Sequence, residues 1–149
     1  MPASARRSGA PSWTSQDDYV KPAIGGASLF QNNSRLLLNS CYSGMFDRHP
    51  DLKMVSVESG IGWVPFMLEA MDYELAENAP EWTRKLQKLP SEYFASNWYA
   101  TFWFENGRGD LQHLVDVVGE DNIMFETDFP HPTSLHPDPV SIVTPKIAT

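Results

Sequence analysis

From residue 52 onward this chain alternates short apolar runs with amphipathic ones, and this pattern limits its possible folds more than any other feature. Residues 52–57, with β-branched Val55 and Val57, read as a strand that stops at the turn Glu58-Ser59-Gly60. Val64, Met67, Leu68, Met71 and Leu75 then form one stripe of a helix over residues 63–76, with Pro65 in its first turn, where the missing N–H is harmless. Residues 77–97 form a longer excursion, with a helix expected at 81–88. Residues 98–104 are almost continuously apolar and aromatic, as suits a strand buried on both faces. After the turn Asn106-Gly107-Arg108-Gly109, residues Leu111, Leu114, Val115 and Val118 mark a third helix, which Gly119 ends. A strand at 122–125 follows. Strands alternating with helices predict an α/β fold with a parallel sheet and helices outside it.

The flanks are less regular. A helix is expected over residues 34–46, with Leu37, Cys41 and Met45 at helical spacing and Ser34 as its cap, and Pro50 ends it. Residues 1–28 are rich in Ser, Ala, Gly and Pro without a period and read as an irregular N-terminal segment. Residues 140–149 read as an unstructured tail, leaving 29–139 as the folded part.

Composition narrows the function classes. Hydrophobic residues make up 42% of the chain, so it can bury a core. The net charge of −8 argues against nucleic acid or an anionic membrane as a partner. No apolar run approaches the roughly 20 residues of a membrane helix. The single Cys41 excludes an internal disulfide, and a cytoplasmic setting is expected.

Two carboxylates stand where chemistry is most often found. Asp128 ends the strand 122–125 and is followed by Phe129-Pro130-His131-Pro132, whose prolines stop the strand and stiffen the turn. A carboxylate in that place can bind a metal or take a proton, and the same residue type also serves as a plain turn or cap aspartate. Glu58 follows the strand 52–57 in the same way. It is a candidate base, proton shuttle or substrate contact, or else a cap for the next helix. His131 and His136, spaced H-x4-H in a proline-rich loop, read as exposed loop histidines more readily than as metal ligands.

Three segments together carry a resemblance: residues 46–53 (FDRHPDLK), 57–65 (VESGIGWVP) and 123–132 (IMFETDFPHP). In order and spacing, from about residue 36 to 139, they resemble the amidohydrolase-related family, which includes aminocarboxymuconate-semialdehyde decarboxylase-like enzymes and many metal-dependent hydrolases. The resemblance implies a TIM (β/α)8 barrel with one divalent metal, usually zinc, at the carboxyl ends of the strands, and a small-molecule substrate. This chain then looks like about the last three strands with their helices, a partial barrel. Asp128 matches the family's last metal-binding aspartate, which makes it the one metal ligand assigned and, with Glu58, one of two candidate catalytic residues. Glu58 stands where the family's decarboxylases carry a histidine before two glycines. That departure leans toward a hydrolase, with a carboxy-lyase as the alternative.

The family's histidine ligands have no match in this sequence, and a barrel takes at least ~200 residues. The chain is therefore expected to be a fragment of such an enzyme, truncated, partial or decayed, inactive alone and binding zinc weakly or not at all. A non-catalytic remnant and a small α/β binding module are the readings from other classes. Self-association is expected as well, because strand 98–104 would lose its cover in a three-stranded sheet.

Overall fold

A computed structural model of the chain describes residues 18–102, 104, 105 and 111–147. The turn expected at 106–109 and the first 17 residues of the N-terminal segment lie outside the described residues. In chain order the elements are α1 (Lys21–Ala27), α2 (Phe30–Tyr42), α3 (Met45–Arg48), β1 (Met54–Ser56), α4 (Val64–Asn78), α5 (Pro80–Thr83), α6 (Pro90–Asn97), β2 (Trp98–Phe102), α7 (Leu111–Val118), β3 (Ile123–Phe125) and α8 (Pro139–Ile147). None of these helices is long and apolar enough to cross a membrane.

The three strands form one parallel sheet in the order β1-β2-β3. Met54 lies opposite Trp98, Ser56 opposite Ala100, and Phe102 opposite Phe125. Successive side chains point to opposite faces, so Trp98, Ala100 and Phe102 share the face covered by α2, α4 and α6. There they join Leu37, Cys41, Leu68 and Phe94 in the core. The Trp98 indole is buried, and its Nε1 donates to Ser40 Oγ at 3.1 Å. Cys41 is fully buried and packs as a small apolar group, and burial pushes its thiol up to about 12. On the other face Val55, Val57 and Met124 stand about half exposed. Strand β2 is buried along its length except at Tyr99, as its composition predicts.

Two buried asparagines set the strand starts by the same device. Asn97, just before β2, donates to the carbonyls of Pro50 and Leu52, both at 2.8 Å, on the approach to β1. Asn122, just before β3, donates to Trp98 O at 2.7 Å and Ala95 O at 3.1 Å, at the start of β2. Gly119 makes room for this second lock. Its φ is +95°, and a Cβ there would lie 2.9 Å from Asn122 Oδ1.

Helices α4 and α7 lie close to where the periodicity puts them, and Val64, Leu68, Met71 and Leu75 form the buried stripe of α4. Four expectations need correction. The segment 1–28, read as irregular, contains α1, which begins at a first-turn proline and buries no residue. The helix expected at 34–46 is α2, shifted upstream, with Ser34 inside it donating to Gln31 O rather than capping; Gly44 at φ +65° then separates α3. The helix expected at 81–88 is the short α5, and the longer α6 follows it. Helix α6 starts at Pro90, with the Leu89 amide capped by Glu92 Oε2 at 2.7 Å. The tail 140–149, read as unstructured, carries α8 as far as Ile147. Asp138 Oδ1 accepts from the Ser141 amide at 3.2 Å, and Val143 is buried in the core.

The asparagine lock generates a stability prediction. Asn122→Ala removes the side-chain donor from the carbonyls of Phe94, Ala95 and Trp98 and should lower unfolding free energy by about 2 kcal/mol. Urea denaturation followed by tryptophan fluorescence checks this, and a change below about 0.5 kcal/mol would show that the lock is not structural.

Candidate active site

Parallel pairing brings the carboxyl ends of all three strands to one edge. The chain leaving β1 reaches Glu58, the chain leaving β2 reaches Glu105, and the chain leaving β3 reaches Glu126 and Asp128. The two residues singled out from the sequence therefore meet on the same edge. Both adopt the left-handed backbone region, with φ of 57° at Glu58 and 58° at Asp128. Residues with side chains disfavour that region, and such strain gathers at functional sites when the surroundings enforce it.

Glu58 and Asp128 line one cavity of about 910 Å³. Its far wall is apolar and comes from α1 and the residues after it, including Pro22, Ala27 and Leu29. The segment taken for an irregular arm thus closes one side of the site. This combination of an apolar wall with a few convergent polar groups is what small-molecule sites share.

The Asp128 side chain is only 10% exposed. Its Oδ2 accepts from Thr133 Oγ1 at 2.8 Å and lies 3.2 Å from His131 Nδ1, which in turn lies 2.7 Å from Thr133 Oγ1. The turn that closes this triangle is pinned by the His131 amide donating to Asp128 O at 2.8 Å. His131 and His136 are both exposed, as the sequence suggests; the ring of His136 rests against Phe129 at 5.1 Å.

Two acids of this edge escaped the sequence reading. Glu126 accepts the Glu58 amide on Oε1 and Oε2, at 3.2 and 3.3 Å. Its carboxyl is pushed above the usual range, first by burial and then by the nearby charges of Glu58 and Asp128, while hydrogen bonds from Thr101 and the Glu58 amide pull it back. Glu105 Oε1 accepts from the amides of Ile61 at 2.5 Å and Gly62 at 3.1 Å. Gly60, at φ +67°, admits that carboxylate, since a Cβ there would lie 2.2 Å from it. The available signal was strand alternation: Glu126 is two residues beyond Met124 and so falls on the same open face.

These acids do not complete a metal site. Among the described residues, no group of three or more His, Cys, Asp or Glu side chains is arranged to hold an ion. Catalytic zinc sites take three protein ligands, so the residues present do not fit a metal by themselves.

A parallel α/β sheet with acids on its carboxyl edge is the architecture of a strand-end enzyme site, and comparison with known proteins identifies the class. The profile of the amidohydrolase family matches residues 23–144, and this chain belongs to that family. Among curated relatives it is 32% identical over 96 residues to the γ-resorcylate decarboxylase of Polaromonas sp. strain JS666, a stretch covering 59% of this chain and 27% of that enzyme. Among solved structures it resembles 5-carboxyvanillate decarboxylase from Sphingomonas paucimobilis, with 31% identity, a TM-score of 0.57, and coverage of 80% of this chain and 34% of that one. A dihydroxybenzoic acid decarboxylase from Polaromonas sp. JS666, solved with manganese and 2-nitroresorcinol, shares the fold. It has 24% identity and a TM-score of 0.54, with coverage of 77% of this chain and 36% of that one. The chain thus spans about a quarter of the curated relative and about a third of each solved chain.

The incomplete ligand set predicts how the chain meets metal. Titration calorimetry with Zn²⁺ or Mn²⁺ should show weak binding or none, and Asp128→Ala should change little. Stoichiometric zinc that survives dialysis and is lost in Asp128→Ala would show that the site closes within this chain.

Proposed function

We propose that this chain forms the last three strands of a (β/α)8 barrel and the matching part of the active site of a divalent-metal-dependent carboxy-lyase that removes carbon dioxide from an aromatic carboxylate. The observation that carries this reading is the pair of left-handed strand-end acids, Glu58 and Asp128, on one cavity. The decarboxylases among its relatives favour a carboxy-lyase over the hydrolase that the sequence suggested. Asp128 is proposed as one metal ligand and proton acceptor, and Glu58 as a proton-exchanging or substrate-contacting group. Manganese, present in a decarboxylase that shares the fold, is the first metal to test, with zinc the second. Hydrolysis is the second reading, and its support is the glutamate at position 58, where the resemblance places a histidine in the family's decarboxylases.

The test is a chimera in which residues 23–144 replace the matching part of the Polaromonas γ-resorcylate decarboxylase. A folded chimera, verified by circular dichroism, should release carbon dioxide from γ-resorcylate with added Mn²⁺. Asp128→Ala should lower its kcat roughly a hundred- to ten-thousand-fold. A folded, metal-loaded chimera that hydrolyses esters or amides and leaves the carboxylate intact would replace the carboxy-lyase reading with the hydrolase one.

The open sheet face supports self-association as a further proposal, since Val55, Val57 and Met124 expose apolar surface there and, among the described residues, the outer edges of β1 and β3 have no strand partner. Sedimentation should show concentration-dependent association of the full chain, weakened by Val57→Lys. A monodisperse monomer at all concentrations would refute this.

A further inference from the structure

The peptide unit joining Val57 to Glu58 is gripped at both of its polar ends. Its carbonyl, Val57 O, accepts from Asn33 Nδ2 at 3.1 Å. Its N–H, on Glu58, donates to the Glu126 carboxylate at 3.2 and 3.3 Å. Asn33 comes from α2 and Glu126 from the end of β3, so two elements from opposite parts of the chain fix one peptide plane at the end of β1. Each is itself anchored. Asn33 Nδ2 also reaches Ser56 Oγ at 3.1 Å and Ser59 Oγ at 2.5 Å, and the Glu126 amide continues the sheet ladder by donating to Phe102 O at 3.2 Å. Both side chains are partly buried, and the bonds from Asn33 to Ser56 and Ser59 lie in part-buried surroundings.

This grip accounts for the backbone of Glu58. The left-handed region disfavours a residue with a side chain by roughly tenfold or more. The neighbouring Gly60 could adopt it freely, yet the chain places a glutamate there as well. Strain of this kind persists only when the surroundings over-determine it, and a peptide plane held at both ends is such a surrounding.

We infer that Asn33 and Glu126 are positioning residues, a two-sided clamp that locks the Val57–Glu58 peptide and thereby presents the Glu58 carboxylate to the cavity it shares with Asp128. The inference deepens the reading of Glu58 as an active-site residue and rests on it for its functional meaning. The clamp ties β1 to β3 across β2, so the two strand-end acids are set relative to each other by one structural unit.

The test reads the backbone of Glu58 directly and does not depend on turnover, so its failure is separable from failure of the carboxy-lyase reading. Amide hydrogen exchange and the HN–Hα coupling of Glu58 are measured by NMR on the full chain. Variants are Glu126→Ala, Glu126→Gln and Asn33→Ala. Losing a hydrogen bond to a charged acceptor should speed Glu58 amide exchange roughly 10- to 100-fold in Glu126→Ala, with the amides of Trp98 and Val118 unchanged. The coupling should move away from its left-handed value in Glu126→Ala and in Asn33→Ala. Glu126→Gln keeps an acceptor oxygen and should restore exchange to within about fivefold of the parent. That rescue would not follow if Glu126 served only as a surface charge. Unchanged Glu58 exchange and coupling in Glu126→Ala and Asn33→Ala overturns the clamp, and so does a Glu126→Gln variant as disrupted as Glu126→Ala.

Discussion

Parallel pairing on β2 is the constraint from which the rest of this molecule follows. Among the described residues β2 alone has a strand partner on both sides, and it is buried over nearly its whole length. Because β1 and β3 both run parallel to it, their carboxyl ends share one edge with its own. An antiparallel arrangement would have sent Glu58 and Asp128 to opposite ends of the sheet. Register is set at the other edge, where Asn97 and Asn122 each tie the start of one strand to the approach of the previous one. A shift of one residue would exchange the faces of every side chain, turning Trp98 out of the core and Glu126 away from the Glu58 amide.

The two edges of the sheet are built from different forces. At the amino end, buried amides are satisfied by backbone carbonyls, with apolar packing around Trp98 and Phe94. At the carboxyl end, acids replace apolar groups, and their partners are backbone amides: Glu105 on Ile61 and Gly62, Glu126 on Glu58. Charge-assisted bonds of this sort are stronger than neutral ones, and they hold the loop after β1, including Glu58 at its positive φ. Stability lies at one edge and the proposed chemistry at the other, the division expected of strand-end active sites.

Much of this was legible in the sequence. The alternation of strands and helices, the buried β2, the stripe of α4 and the stop at Gly119 all appear as periodicity or as residues with one physical use. Asp128 was visible because prolines follow it at once. What escaped depends on contacts between distant residues or on local caps. Helix α6 is announced only by Pro90 and the Glu92 cap, and α8 only by Asp138, in segments too short or too mixed to show a period. Glu126 sits inside an apolar run where it reads as an interruption, and its purpose appears only when β1 is laid two strands away. Asn33 is one polar residue on a helix, and nothing local distinguishes it from its neighbour Asn32. Its acceptors lie 23 to 26 positions further on.

The charge of the carboxyl edge sets a condition on anything that binds there. Glu58, Glu126 and Asp128 are close enough to raise the carboxyl of Glu126, after burial has already done so. Bringing like charges together in a partly buried place is unfavourable unless a cation or a proton joins them. An aromatic carboxylate entering the 910 Å³ cavity would meet the same repulsion. Its ring suits the apolar wall formed by Pro22, Ala27 and Leu29, but its charge faces acids of its own sign. An anionic substrate is therefore compatible with this edge only with positive charge placed between it and Asp128. A neutral ester or amide needs no such charge for binding. The electrostatics of the edge thus link the choice of reaction to the completion of the ligand set, and the two readings of the function part at that point.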